Sequence, residues 1–484
     1  MITEIARKEI REIWRDGRFR SVGAFILVLL FATLLAGWSQ YSKVSAEHAL
    51  AEADNERQWQ EQGARNPHSA AHFGKYAFKP RPPASLLDNG VNSYLGVAVW
   101  LEAHYQNPFR YRPTEDSTVV QRFGELTAVV VLQLLIPLFI ILLAFPAFAG
   151  EREAGTLRQL LSLGIDRKTL ALGKALGIAG ALAALLVPAA IIGTAALALA
   201  AAGASGDGLS SSLGRFAIMA ATYLLYFTIF LAVSLAVSAY FKTAQMALLV
   251  LFGFWIFNGL FVPRVAADIA QKVHPSVSSS EFWENTSKDL RDGIDGHDPQ
   301  NKRTEEAKQQ LLAQYGVEKV EDLPINFSGW SLNQGEEYAG KVYDKHYAAL
   351  WQSFEDQSRF LNLSSIFAPL LSVRSISMSM AGTDFAHHRH FAAEAEQYRR
   401  VINRILNQDY MNNSRTGDTK YTADETLWTS MPQFQYELPD TAWAVRTQIL
   451  PLVMLLLWTL GAIGLAWFSV GRAKVERGVR LLRN

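Results

Sequence analysis

Residues 150–174 read GEREAGTLRQLLSLGIDRKTLALGK. The stretch is short and basic, and it lies between two long apolar runs, 126–149 and 173–202. Apolar runs of about 20 residues are long enough to cross a hydrocarbon core of roughly 30 Å. A loop between two such spans needs no apolar stripe of its own. Yet Ala154, Leu157, Leu160, Leu161 and Ile165 would share one face of a short helix. Glu151 and Glu153 stand at its start, where the helix dipole favours negative charge. A helix of this kind, tied to two spans, is built to seat in a groove on a partner; a helix resting on the membrane surface is the plainer alternative.

Working outward, the 484 residues carry a net charge of +1, and half of them are hydrophobic. The average conceals an alternation of apolar runs and polar blocks. The expected order is a basic segment at 1–20, spans at 21–38, 126–149, 173–202, 213–240, 244–262 and 448–470, and a basic tail at 471–484. The loop at 150–172 follows the second span. Polar insertions occupy 39–124 and 263–444, and a Gly/Ser linker covers 203–212. The fold class this implies is an all-α membrane protein with six spans and two mainly helical insertions.

Basic residues orient the spans. Arg7, Lys8, Arg11, Arg15, Arg18 and Arg20 precede the first run. Arg152, Arg158, Arg167 and Lys168 follow the second, and Lys242 follows the fourth. Arg472, Lys474, Arg477, Arg480 and Arg483 close the chain. With six spans, all four basic segments fall on the cytoplasmic side, and both large insertions fall outside. The first span has no small-residue cleavage site and reads as an uncleaved anchor. The moderately apolar segment 363–381 holds six Ser, Pro369 and Arg374, so it reads as a buried or interfacial helix of the outer domain. Within the insertions, 303–315, 334–357 and 384–410 show helical periodicity, whereas 66–83 is rich in Pro, Gly and His and reads as irregular.

Here a resemblance enters. Glu151-Arg-Glu-Ala-Gly155-Thr156-Leu157, then Leu160-Leu161-Ser162, Arg167 and Gly173-Lys174, resembles the coupling segment of ABC-2 type permeases, which also lies between the second and third spans. Ile2, Ile5, Ala6, Ile10, Ile13 and Trp14 would form the apolar stripe of that family's connecting helix, lying in the interface. The large insertions are similar to those of a bacterial subgroup, with Asn66–Gly74 and Ala381–Phe391 resembling its signatures; the subgroup is similar to copper-maturation and gliding-motility permeases. The resemblance implies an inner-membrane exporter permease with both termini cytoplasmic and periplasmic insertions. It also implies a separate ABC ATPase subunit, a second permease copy or paralogue, and a possible periplasmic partner. Glu151, Glu153, Gly155, Thr156, Leu157, Leu160, Leu161 and Arg167 would couple to that ATPase.

Other motifs narrow the reading. No complete G-x-x-x-x-G-K-[ST] phosphate loop occurs, so ATP and magnesium are expected on the partner and no cofactor on this chain. The charge balance gives no reason to expect nucleic acid. The spans hold Gln133, Tyr223, Tyr226, Asn258 and Trp458 as their polar candidates; these read as inter-helix hydrogen bonders first and a cargo path second. The scarcity of charge there argues against a self-powered transporter. Gly173, Gly177 and Gly180 permit a close helix approach. There is no Cys, and all ten His lie in the insertions. His68 with His72, and His387, His388 and His390, are candidate zinc or copper ligands, although Pro67 argues against a helix through His68–His72.

Overall fold

The computed structural model describes residues 1–115, 126–203 and 208–473; Lys474 and the rest of the basic tail, with part of the Gly/Ser linker, lie outside them. Among the described residues six helices are long and apolar enough to cross a membrane: Gly17–Gln60, Ala128–Glu153, Arg167–Gly203, Leu209–Tyr240, Ala244–Val273 and Ile449–Gly471. A seventh helix, Ile2–Arg15, precedes the first span. Asp16 separates the two in extended backbone and caps the first span by accepting from Arg18 N at 2.8 Å.

The first span does not stop at Trp38. It continues to Gln60 through Lys43, Glu47, Glu52, Asp54 and Glu56. Once the side chains become charged the helix has no place in hydrocarbon, so its second half stands clear as a stalk. Trp59, near the top of this stalk, is buried against the second insertion. Its Nε1 donates to Trp428 O at 3.3 Å, and Trp428 Nε1 donates to Gly63 O at 3.0 Å. Burying both indoles in edge-to-face contact contributes several kcal/mol.

The second and fifth spans each contain one π-helical turn, Val131–Leu135 and Phe257–Phe261. Pro137 and Pro263 follow, and a proline removes the N–H that its upstream carbonyl would have bonded. In the second span the carbonyl of Gln133 is answered from outside the helix, by Tyr226 OH at 3.1 Å.

The first insertion adds a small irregular lobe to the helical frame. A short helix, Pro67–Phe73, leads into strand β1 (Lys75–Phe78), which pairs antiparallel with β2 (Ala98–Leu101). Pro67 opens its helix instead of preventing it. It sits at the first helical position, where the missing N–H costs nothing, and Asn66 caps the turn from His68 N at 2.9 Å. The second insertion is helical, with Ser279–Asp292, Gln300–Tyr315, Phe327–Ser364 and Phe385–Asn413. The two insertions share one core, in which Ala70, Val99, Phe391, Ala395 and Trp428 pack together, so they lie on the same side of the spans.

The segment 363–381 departs from expectation. Its helix, Pro369–Ala381, is buried, but it belongs to the span bundle and not to the outer domain. It packs between the fourth and sixth spans, with Leu370, Val373, Ile376 and Met380 in the bundle core. Its serines explain how: they give a short helix polar contacts among spans without adding charge.

Candidate functional site

The loop after the second span folds as two short helices, Ala149–Glu153 and Thr156–Ser162. Gly155 joins them in the left-handed region at φ 74°, which an L side chain resists. This break divides the expected stripe. Ala154 faces solvent, Leu160, Leu161 and Ile165 are half-buried against the bundle core, and Leu157 is only 2% exposed. Leu157 is therefore an anchor within the chain and not a surface a partner could touch. The outward face carries Thr156, Arg158, Gln159, Ser162 and Leu163, and Leu163 is 78% exposed.

Three sets of contacts fasten this segment. Ser238, at the end of the fourth span, donates from Oγ to Phe145 O at 2.7 Å and accepts from Phe148 N and Ala149 N at 2.9 and 3.1 Å. The start of the helix at Ala149 leaves these groups without intrahelical partners. Arg152 donates to the carbonyls of Ala239, at 2.8 Å, and Phe241. Glu153 accepts from Ala244 N at 3.3 Å, at the start of the fifth span. On the other flank Lys174 is buried and pairs with both Glu151, at 2.8 Å, and Glu9 of the N-terminal helix. Glu151, Glu9 and Lys174 thus join the loop, the third span and the N-terminal helix. Arg167 is exposed and reaches Gly471 O at 3.5 Å.

The glycine stripe explains the fit. A Cβ on Gly173 would fall 2.5 Å from Ile5 Cβ, one on Gly177 would fall 2.4 Å from Glu9 Cβ, and one on Gly180 would fall 3.0 Å from Ile10 Cδ1. The N-terminal helix lies in this groove along the third span, so its stripe meets protein over Ile5 and Ile13. Trp14, at the end of the stripe, is about half exposed.

The polar residues of the spans converge. Tyr226 OH, which serves Gln133 O, also accepts from Asn258 Nδ2 at 2.9 Å, and Asn258 Oδ1 accepts from Leu370 N at 3.1 Å. Gln133 Nε2 donates to Tyr223 OH at 3.2 Å, and Gln133 Oε1 accepts from Arg374 Nε at 3.2 Å. Ser377 is within 3.1 Å of Tyr223 OH and donates to Asp88 Oδ2. Gln133, Tyr223, Tyr226 and Asn258 thus bind one another and the Pro369–Ala381 helix. Tyr223 also borders an apolar cavity of about 400 Å³ among the first four spans, lined by Leu34, Ala183, Val187 and Leu231. Trp458 stands apart, donating to Ser365 O at 2.8 Å.

The histidines divide. His387, His388 and His390 direct their nitrogens to different partners and do not gather as a ligand set among the described residues. His387 Nδ1 donates to Asp384 at 2.6 Å and its Nε2 faces Arg215 Nη1 at 3.4 Å, which occupies both nitrogens. His388 lies against Phe109 in a tilted contact and meets Trp351 edge-on, where burial pushes its imidazole down to about 3. His390 meets Tyr436 OH at 3.2 Å. His68 and His72 are instead joined by His104, and the three present nitrogens within 4.8 Å of one another. Sequence reasoning missed His104 because the β1–β2 pairing, not any local spacing, delivers it. Ser238 and Arg215 carried no sequence signal at all, whereas Lys174 was marked by the Gly-Lys pair.

A bundle of six long apolar helices, with a fastened loop on one side and folded insertions on the other, is the body of a multi-pass membrane transport subunit. A family model described as ABC-2 family transporter protein matches residues 3–312, and the chain belongs to that family. A domain of unknown function, DUF3526, matches residues 280–437, which is most of the second insertion. No curated protein matches the chain. Gly335–Lys341 opens like a phosphate loop, but Val342 replaces the hydroxyl residue and the segment lies inside the helix Phe327–Ser364.

Proposed function

We propose that this permease subunit is driven by a separate ABC ATPase, which docks on the face made by Thr156, Arg158, Gln159, Ser162 and Leu163. Two permease chains, identical or paralogous, would pair above two ATPase subunits that carry the ATP and magnesium. The insertions would stand in the periplasm and receive cargo or a partner protein. The observation that supports this is the fastening of the loop to the third, fourth and fifth spans and to the N-terminal helix. A push on so fixed an element moves helices and is not absorbed by a hinge.

One feature favours a second reading, a relay that acts on a periplasmic partner without moving cargo. The Pro369–Ala381 helix and Asp88 fill the bundle beside Tyr223 and Gln133. Reconstitution with the cognate ATPase discriminates the two. Vesicles that turn over ATP and move a labelled cargo support the exporter; turnover that alters only the insertions supports the relay. Leu163→Asp should release the ATPase while leaving the protein folded, and retention of the ATPase by that variant would refute the docking face.

A further inference from the structure

We propose that His68, His72 and His104 form a binding site for a divalent transition metal, zinc or copper(II), with three imidazole ligands and one open position. His68 and His72 lie one turn apart on the helix Pro67–Phe73, with their Nε2 atoms 3.2 Å apart. His104 comes from the loop after β2. Ring centroids of the three lie 4.7, 5.2 and 5.1 Å from one another. Three bare imidazoles gain little from such crowding, since two facing nitrogens can share only one proton. A metal ion converts the same geometry into three bonds, and small ring rotations suffice to bring nitrogens to about 2.0–2.1 Å from a common centre.

The surroundings are those of a supported ligand. His104 adopts φ 69°, a left-handed backbone uncommon outside glycine, at a cost on the order of 1 kcal/mol. Two contacts hold it there. Ala103 N donates to Ala71 O at 3.0 Å, which pins the loop onto the helix carrying His68 and His72. His104 N donates to Glu336 Oε1 at 2.5 Å. The same carboxylate lies 3.0 Å from His104 Nδ1, so the ring proton sits on Nδ1 and Nε2 is left for a metal. Arg399 Nη1 is 3.1 Å from Glu336 Oε2 and also donates to Glu102 O at 3.1 Å, two residues before the ligand. Carboxylate, histidine and metal would then stand in the order that orients most protein imidazole ligands.

The donor set selects the ion. Three neutral nitrogens without thiolate or carboxylate suit zinc and copper(II), and exclude calcium and magnesium, which take oxygen. His72 is exposed and His68 and His104 are half-buried, so the fourth position opens to solvent. An ion held this way exchanges with a carrier or accepts a donor from a partner, and is not a sealed structural staple.

The test uses the full chain, purified in detergent without a polyhistidine tag and stripped with EDTA. ZnCl2 should bind at one ion per chain by equilibrium dialysis. Co(II) should give the visible spectrum of a low-coordinate nitrogen site. His72→Ala and His104→Ala should each weaken zinc by more than ten-fold and abolish the cobalt spectrum. Glu336→Gln, which removes a positioning group, should weaken zinc by about ten-fold, and His390→Ala should change nothing. His72→Ala alters an exposed side chain, so a folding failure at His104 does not shelter the proposal. Substoichiometric zinc, or wild-type affinity in both histidine variants, overturns it.

Discussion

Gly177→Ala should detach the N-terminal helix from the third span. The added methyl would lie 2.4 Å from Glu9 Cβ and 3.1 Å from Ala6 O. Carbon contacts are comfortable near 3.5–4.0 Å, so one surface must withdraw by about 1 Å. The obstruction includes backbone and a Cβ, so no rotamer change relieves it, and the helix itself must move. That movement pulls Glu9 from Lys174, a buried pair. Lys174 keeps Glu151, so losing Glu9 costs about 3 kcal/mol, the low end for a buried pair, and the gain in helix propensity returns about 1 kcal/mol. The net loss is about 2 kcal/mol of docking free energy, which shifts the docking equilibrium by about 30-fold toward the undocked helix. The chain has no cysteine, so an Ile10→Cys/Gly180→Cys pair reports docking without background. Its disulfide yield should be high alone and fall several-fold when Gly177→Ala is added. Stimulated ATPase activity in the assembled complex should fall with it. Unchanged cross-linking and unchanged thermal stability in the triple variant would refute the argument that these glycines exist to seat this helix.

Ser238→Ala leaves Phe145 O, Phe148 N and Ala149 N buried without their partner. At about 1 kcal/mol or more each, the loop should loosen by about 3 kcal/mol, read as faster hydrogen exchange over 148–163 with little change in the insertions. Leu157→Ala should lower thermal stability by about 2–4 kcal/mol through the cavity it opens, whereas Leu163→Asp should leave stability within about 0.5 kcal/mol; a reversed order would mean the two faces of the helix are misassigned. Asp88 is buried and its carboxyl is pushed up, chiefly by desolvation. A raised acid contributes stability that is full below its unfolded value and is lost as pH rises through the folded value. Thermal stability should therefore decline with rising pH above the ordinary carboxylate range, and Asp88→Asn should flatten that decline.

The membrane frame was legible because hydrocarbon imposes a length and a polarity that few sequences meet by accident. Four of the six apolar runs lie wholly inside the six helices, and the runs 126–149 and 448–470 begin two residues and one residue before theirs. What the sequence hides is where a helix stops once its apolar part ends, since a stalk such as Lys43–Gln60 is rich in helix-forming Ala, Glu and Gln but has no apolar run to mark its end. Segment 363–381 was ambiguous for a related reason. Its serines look like surface, and only neighbours such as Tyr223 and Gln448 make them interior. The coupling stripe was read as one face because periodicity assumes an unbroken helix, and Gly155 breaks it. Short-range histidine spacing found His68 and His72 but also nominated His387, His388 and His390, because spacing says nothing about which nitrogens other groups already occupy.

The fourth span unites these parts. Ser238 stands at its one end, holding the start of the loop that follows the second span. Tyr226 and Tyr223 stand midway, bonded to Gln133, Asn258 and Ser377. Arg215 stands at the other end, with Ser379 O of the Pro369–Ala381 helix and with His387 and Pro439 O of the second insertion around it. From Arg215 to Ser238 an α-helix rises about 35 Å, slightly more than the roughly 30 Å of hydrocarbon it must cross. Each polar cluster is therefore placed at a different depth on one rod. A displacement applied at Ser238 need not travel through a sequence of soft contacts, because the groups at all three depths are attached to the same backbone. On the proposed function, the helix Pro369–Ala381 would follow the rod through Tyr223 and Ser379 and carry the second insertion with it, so that motion on the loop side and motion in the insertions would be two ends of one rigid displacement.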